Sequence, residues 1–159
     1  MNKYLKISIY VLIVLIVSIG GYFGFEYILQ AEENYDSLYI YNSDLSEIAK
    51  LNLWGLEGGY DLSTIDLGGD EKHEILVAAE KMNKPELRIL RNDGSVINQF
   101  LVYNENFVDG INIAGCDFDG DGKGEILVGA NKGGGAHVRI FDGYGEPKIN
   151  TGFFAFNEK

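Results

Sequence analysis

The chain has 159 residues, enough for about one domain of ordinary size, and its 46% hydrophobic and 23% charged residues are typical of a folded protein. Residues 32–159 hold 23 acidic against 11 basic residues, and this balance argues against nucleic acid as a partner, because a phosphate backbone needs a basic surface. The 21 glycines against 2 prolines indicate many tight turns between short strands, so the composition predicts an all-β protein.

The N-terminal segment predicts a membrane anchor. Residues 7–25 carry no charge and as a helix would span roughly 28 Å, close to the hydrocarbon thickness of a bilayer. Lys3 and Lys6 precede this run, and Glu26, Glu32 and Glu33 follow it, so the positive-inside rule places the N-terminus in the cytoplasm. We expect a single-pass protein of the cell membrane, with residues 1–30 as cytoplasmic stub and transmembrane signal anchor and residues 31–37 as linker.

A cleaved secretory signal is the alternative to an anchor. Such a signal has a shorter apolar core and an A-x-A-like cleavage site, which Leu29-Gln30-Ala31 matches poorly. With a cleaved signal the protein is secreted, so both alternatives predict that the C-terminal domain is outside the cell.

The remaining chain contains an internal repeat of about 50 residues. EILVAAE at residues 74–80 matches EILVGAN at 125–131, LRIL at 87–90 matches VRIF at 138–141, and INQFLVYNE at 97–105 matches INTGFFAFNE at 149–158 with one insertion. A period of this length is typical of stacked units such as propeller blades. LYIYNSD at 38–44 is a third, partial copy.

Each unit predicts four short strands, since β-branched and aromatic runs alternate with Gly, Asn and Asp turns. The expected strands are residues 38–42 and 48–54; then 62–66, 75–79, 87–91 and 96–103; then 111–116, 126–130, 137–142 and 152–156. This gives a half blade at 38–60, a degenerate blade at 61–109 and a further blade at 110–159. Two and a half units cannot close a propeller, so we expect an N-terminal piece of a longer protein, self-association, or an open array.

The segment DFDGDGKGE, residues 117–125, predicts a calcium site. Calcium binds six to eight oxygens, and a short loop supplies them from alternate residues while glycines allow the tight curvature. The expected ligands are the side chains of Asp117, Asp119, Asp121 and Glu125, together with the carbonyl of Lys123. An EF-hand is excluded because its twelfth position would be Val128, inside a strand-like run. Magnesium and an ion-free acidic turn are the alternatives.

The equivalent loop of the preceding unit is DLGGDEKHE, residues 66–74. It keeps Asp66, Asp70 and Glu74 but has Gly68 where a ligand is expected, so we predict weak ion binding or none. His73 has no second histidine nearby, which favours a plain surface role over zinc ligation.

Residues 110–143, GINIAGCDFDGDGKGEILVGANKGGGAHVRIFDG, resemble the FG-GAP/VCBS repeats of integrin-α-type β-propellers. The features that carry the resemblance are the DxDGDG-type loop, the Gly129-Ala130-Asn131 ending where members often have GAP, and the GGG-x-HVR-x-FDG stretch. The resemblance implies four-stranded blades, calcium held by the 117–125 loop, and a role in extracellular adhesion or ligand recognition. Glu125 departs from the family pattern, in which Asp is more usual.

These observations predict a membrane-anchored, calcium-binding recognition module whose partner is an extracellular protein or glycan. The alternatives are a structural spacer and, less favoured, a propeller hydrolase. An enzyme is not expected because no serine lies in a glycine elbow and a saturated calcium site has no open position. His137 is expected to be a strand residue and not a base.

Two further expectations concern packing. The lone Cys116 is predicted to be a small buried apolar residue. Aromatic side chains at strand spacing are expected to pack between blades, with a sugar-stacking surface as the alternative; they are Trp54, Tyr103, Phe153, Phe154 and Phe156.

Overall fold

The computed structural model describes residues 12–13, 28–31, 37–42, 44–53 and 58–156, and there the protein is all-β. The chain divides into two compact units, Met1–Trp54 and Gly55–Lys159. Their strands form three four-stranded sheets in which each strand pairs antiparallel with its neighbour in sequence. No propeller closure is found in this part of the chain.

The first unit holds one sheet, in the order β1-β2-β3-β4. Its strands are β1 (Leu12–Ile13), β2 (Ile28–Ala31), β3 (Ser37–Tyr41) and β4 (Glu47–Asn52). The two predicted strands of the half blade correspond to β3 and β4. The prediction of a half blade is wrong in strand number, because β2 pairs with β3 and β1 with β2.

The predicted transmembrane helix is not found in the described residues. Within its span of residues 7–25 the structure describes only Leu12–Ile13, which form a strand; the rest of the predicted helix lies outside the described residues. In the described part of the chain, no helix has the length and apolar character to cross a bilayer.

The second unit contains two sheets of the same design. The second sheet has the order β5-β6-β7-β8 and the third the order β9-β10-β11-β12. The strands are β5 (Tyr60–Ile65), β6 (Glu74–Ala79), β7 (Glu86–Leu90), β8 (Val96–Leu101), β9 (Ile111–Cys116), β10 (Glu125–Ala130), β11 (His137–Phe141) and β12 (Phe153–Phe154). All eight predicted strands of the two whole repeat units are confirmed, within a few residues at each end.

One hydrophobic core joins the second and third sheets. The second sheet contributes Leu76 and Leu87, and the third contributes Ile126, Val128 and Phe141 to the same buried cluster. Each fully buried aliphatic side chain of this kind contributes about 1.5–3 kcal/mol. The first strands of the two sheets, β5 and β9, lie side by side. This packing fixes the position of the loops that follow β5 and β9.

Several predicted packing roles differ from the structure. Cys116 is exposed, not buried, because it ends β9 at the start of the acidic loop. Tyr103 does pack at the junction of the sheets, where its hydroxyl lies 3.0 Å from the carbonyl oxygen of Val128 and 2.8 Å from that of His137. In contrast, three of the aromatic residues predicted to pack between blades are exposed: Phe153, Phe154 and Phe156. Trp54 lies outside the described residues.

Candidate metal centre

The acidic loop joins β9 to β10 and is shaped by its first aspartate. The carboxylate of Asp117 accepts hydrogen bonds from the backbone N–H groups of Gly120, at 2.7 Å, and Gly122, at 3.0 Å. Gly120 and Gly122 have φ angles of 77° and 86°, in the left-handed region that favours glycine. The glycines therefore let the chain wrap around the carboxylate of Asp117.

Three carboxylates converge in this loop. Asp117, Asp119 and Glu125 each offer an oxygen atom, and these atoms all lie within 4.8 Å of one another. Asp117 and Asp119 are exposed, whereas Glu125 is only 1% exposed at the start of β10. The N–H of Phe118 donates a 2.8 Å hydrogen bond to Oε2 of Glu125. Carboxylates this close repel one another unless a cation or a proton lies between them.

The donor set fits a hard metal ion. All three groups are carboxylates, and two oxygens on opposite sides of a calcium ion are about 4.8 Å apart when each bond is about 2.4 Å. The carboxylates of Asp117, Asp119 and Glu125 can therefore hold a metal ion. Among the described residues, no second group of three acidic, histidine or cysteine side chains has this geometry.

Two of the five predicted ligands lie outside the converging group. Asp121 and Lys123 are both exposed, and the carboxylate of Asp121 accepts a 2.8 Å hydrogen bond from the N–H of Lys123. The alternation of acidic residues predicted equal roles for the three aspartates. In the folded loop, the carboxylate of Asp121 closes the second turn through this hydrogen bond. The three carboxylates that converge are those of Asp117, Asp119 and Glu125.

A lysine that the sequence did not single out lies against this group. The ammonium nitrogen of Lys148 is 2.9 Å from Oδ2 of Asp119 and 3.0 Å from Oε1 of Glu125. The hydrogen bond from Lys148 lowers the pKa of Asp119, and the two carboxylates raise the pKa of Lys148. Lys148 thus supplies an internal cation next to two of the three carboxylates.

The position of Lys148 depends on the turn after β11. The chain reverses through residues 142–146, Phe141 bridges to Pro147, and the N–H of Lys148 donates a 2.9 Å hydrogen bond to the carbonyl of Ile140. Lys148 lies 29 residues from Asp119 in sequence, and no repeat or spacing pattern connects the two. Only the fold shows this contact.

The equivalent loop of the second sheet is organised by backbone donors. Oδ1 of Asp66 accepts hydrogen bonds from the N–H groups of Gly68, Gly69 and Asp70, and Oδ2 accepts one of 2.7 Å from Glu71. Burial acts to raise the pKa of Asp66, but these four donors outweigh it and lower the pKa. The loop therefore satisfies its central carboxylate without three converging acids.

The two other acidic side chains that this earlier loop keeps, Glu74 and Asp70, also have partners within the protein. Oε2 of Glu74 accepts a 3.0 Å hydrogen bond from Leu67, as Glu125 does from Phe118 in the later loop. Asp70 pairs with Lys72 at 3.3 Å. His73 is half-buried, so the predicted plain surface role is only partly correct.

The two loops touch each other. The N–H of Gly124 donates a 2.7 Å hydrogen bond to the carbonyl of Asp66, and a methyl group added to Gly124 would lie 2.0 Å from Cγ1 of Ile65. A cleft of about 310 Å³ opens beside this contact. Its lining combines apolar and charged side chains from both loops and from the turn after β11; these include Leu67, Glu74, Ile97, Glu125, Tyr144 and Lys148.

His137 has a structural position in β11. Its Nε2 atom lies 2.7 Å from the carbonyl oxygen of Thr151, and its ring stacks on Phe154 with centroids 4.9 Å apart. This placement confirms the prediction that His137 is a strand residue.

Comparison with known proteins adds no family assignment. No protein-family model matches the chain, and no curated protein matches it. The resemblance to FG-GAP/VCBS repeats stays a prediction based on the motifs of residues 110–143.

Proposed function

We propose that this protein is a calcium-binding β-repeat module for adhesion or recognition outside the cell. The observation that carries the proposal is the convergence of Asp117, Asp119 and Glu125, whose ligand atoms lie within 4.8 Å of one another. The site is built on the end of β9, the start of β10 and the loop between them. An ion bound there would stabilise the exposed loop that joins β9 and β10.

The donor set favours calcium over magnesium. Magnesium demands near-ideal octahedral geometry, keeps several waters and usually binds through one or two carboxylates. Here three carboxylates converge, and the glycine-rich loop between them can adjust to the larger and less regular calcium shell. Asp121 and the carbonyl of Lys123 remain available in the same loop to complete the shell.

The proposed role of the ion is structural. Gly124 lies between Lys123 and the ligand Glu125, and its hydrogen bond to Asp66 connects the loop to the second sheet. An ion bound to Glu125 would therefore also stabilise the contact between the two loops. At millimolar calcium, a dissociation constant of about 10⁻⁴ to 10⁻³ M corresponds to roughly 0.4 to 1.4 kcal/mol of added stability. That amount orders a loop without determining the fold.

The proposed location rests on the N-terminal sequence alone. A charge-free run at residues 7–25, with Lys3 and Lys6 before it and acidic residues after it, favours a membrane-targeting segment that places the β-repeat part outside. Extracellular calcium is abundant enough to occupy a site of modest affinity. The partner would be a protein or a glycan that meets the loops around the metal centre.

A structural spacer is the second candidate function. Phe153 and Phe156 favour it, because exposed aromatic side chains at the last strand of a sheet are typical of assembly contacts. A spacer would bind neighbouring modules and no external ligand, whereas a recognition module would bind a surface protein or glycan in a calcium-dependent way. Calcium-dependent retention on arrays of surface glycans and proteins distinguishes the two.

The calcium proposal is tested by calorimetric titration of the purified full chain. We expect one saturable calcium site, abolished when Asp117, Asp119 and Glu125 are together changed to Asn, Asn and Gln. The matched control changes Asp66, Asp70 and Glu74 of the equivalent loop in the same way and should leave that site intact. A folded wild-type chain that takes up no calcium would refute the proposal.

A further inference from the structure

The cleft of about 310 Å³ beside the acidic loop borders the metal centre directly. Glu125 and Lys148, which meet at that centre, both belong to its lining. Ligand sites in proteins typically enclose about 300–1,000 Å³, so the cleft has room for one small ring-sized group.

Part of the lining of the cleft is apolar and exposed. Leu67, Ile97 and Tyr144 belong to it, and the side chain of Tyr144 is 87% exposed. The backbone of Tyr144 is nevertheless fixed on both sides. Its N–H donates a 2.9 Å hydrogen bond to the carboxylate of Asp142, and its carbonyl accepts one of 2.9 Å from the amide of Asn98. The cleft therefore offers an aromatic ring, held by a well-bonded turn, to a ligand.

The charged part of the lining consists of four carboxylates and two ammonium groups; they belong to Glu74, Asp121, Glu125, Asp142, Lys123 and Lys148. Each of the four carboxylates accepts a hydrogen bond of 2.8 to 3.0 Å from a backbone N–H group. Backbone donors thus stabilise the negative charges of the lining. The state of the two ammonium groups then decides which charge a ligand can bring.

The two ammonium groups differ in their partners. That of Lys148 lies 2.9 Å from Oδ2 of Asp119 and 3.0 Å from Oε1 of Glu125, and both of these neighbours are proposed calcium ligands. The ammonium of Lys123 forms no ion pair with any other residue that the structure describes. One cation of the cleft is therefore available to a ligand, and the second becomes available when another cation takes its two carboxylates.

We infer that the cleft binds the carboxylate of an acidic sugar, a hexuronate, through Lys123 and Lys148, and that calcium binding releases Lys148 for this contact. The release rests on the proposed function, which the inference deepens by naming the partner as an acidic glycan. A sugar ring has an apolar face, which packs on an exposed aromatic ring such as that of Tyr144. Its hydroxyl groups can donate hydrogen bonds to carboxylates such as that of Asp142.

The lining favours this ligand over two other anions. Glu74 and Asp142 remain charged beside the two ammonium groups, so the second negative charge of a phosphate monoester would be repelled. An acidic peptide side chain brings a single carboxylate, but it has no ring to pack on Tyr144 and no hydroxyl group to pair with Asp142. Because calcium and Lys148 compete for the same carboxylates, calcium and the uronate should each tighten the binding of the other by the same factor.

NMR titration of the isotope-labelled full chain in a mild detergent tests the inference. The probe is methyl glucuronide, and methyl glucoside is the matched ligand in which a hydroxymethyl group replaces the carboxylate. At saturating calcium we expect the glucuronide to shift the amide signals of Lys123 and Tyr144. It should bind at least about tenfold more tightly than the glucoside, since a hydrogen bond between charged groups is typically worth that factor. Without calcium this preference should be largely lost.

Two lysine variants and a peptide-like probe complete this experiment. Lys148→Met should lose the preference for the glucuronide while still binding calcium, whereas Lys72→Met, an exposed lysine outside the cleft, should keep it. Calcium uptake without any gain in glucuronide binding would overturn the inference alone, whereas a chain that takes up no calcium would refute the proposed function. Tighter binding of N-acetylglutamate than of the glucuronide would overturn the assignment to a sugar.

A calcium-free measurement separates the cleft from the metal site. The double variant Asp119→Asn, Glu125→Gln removes both negative partners of Lys148 and keeps the size of their side chains. We expect it to bind the glucuronide without calcium at least about tenfold more tightly than the wild type does, and adding Lys148→Met should abolish this gain. A folded double variant with no gain would contradict the inference even if the wild type binds calcium. If the double variant does not fold, the wild-type titration with calcium decides.

Discussion

Replacing Lys148 by methionine should raise the affinity for calcium. The ammonium of Lys148 lies 2.9 Å from Asp119 and 3.0 Å from Glu125. It therefore pairs with two of the carboxylates that a bound ion would need. Calcium must displace this ammonium or share its carboxylates. Methionine keeps the length of the side chain and removes the competing charge.

The size of the effect follows from the two contacts. A partly exposed ion pair typically changes the equilibrium constant for forming the contact by a factor of about 1.4 to 5. If calcium has to break two such contacts, its binding constant is lowered by roughly 2- to 30-fold. The side chain of Lys148 is 34% exposed and that of Glu125 only 2%, which places the second contact toward the stronger end. We therefore expect Lys148→Met to tighten calcium binding about tenfold.

Isothermal titration calorimetry at fixed ionic strength measures this change, with Lys123→Met as the matched control. Lys123 is an exposed lysine of the same loop and keeps its backbone carbonyl after substitution, so it reports the general effect of removing one positive charge. Tighter binding should be clearly larger for Lys148→Met than for Lys123→Met. Equal effects, or weaker binding in Lys148→Met, would refute the competition argument.

Three further predictions concern the loops and the junction of the sheets. Gly124→Ala places a methyl group 2.0 Å from Ile65 and should lower the free energy of unfolding by about 1–3 kcal/mol, whereas Gly129→Ala, with open space around the added methyl, should have little effect in the same urea titration. Asp66→Asn should lower the melting temperature above pH 4, and the difference from wild type should shrink as the pH falls below the ordinary value of 3.8, because the native pKa of Asp66 is lowered and its stabilisation is lost on protonation; a difference that grows in acid would contradict this. Tyr103→Phe should cost about 1 kcal/mol in thermal unfolding through the lost hydroxyl contacts at the sheet junction, and an unchanged stability would show that they contribute nothing.

Local sequence patterns predicted the repeated sheets well. EILVAAE and EILVGAN each place Ile and Val among further apolar residues directly after an acidic turn, a pattern that favours a strand, and each forms one. The alternating carboxylates and glycines of residues 117–125 likewise located the acidic loop between two strands. The all-β fold class and the segment in which three carboxylates converge could therefore be predicted from short stretches of sequence.

Long-range contacts could not be predicted in this way. The approach of Lys148 to Glu125 depends on the reversal of the chain after β11. Spacing within the loop also does not reveal that the carboxylate of Asp121 accepts a hydrogen bond from the backbone N–H of Lys123 and lies outside the converging group. Of the two additional strands of the first sheet, β1 lies within residues 7–25, where apolar composition does not distinguish a membrane helix from a strand, and β2 lies at the boundary that the sequence assigned to anchor and linker.

A crystal structure of the full chain grown with calcium would test the central claim most directly. The account predicts a metal ion with oxygens of Asp117, Asp119 and Glu125 at about 2.3 to 2.6 Å, and the ammonium of Lys148 moved out of contact with Glu125. A loop without metal at millimolar calcium, with Lys148 still bridging Asp119 and Glu125, would contradict it.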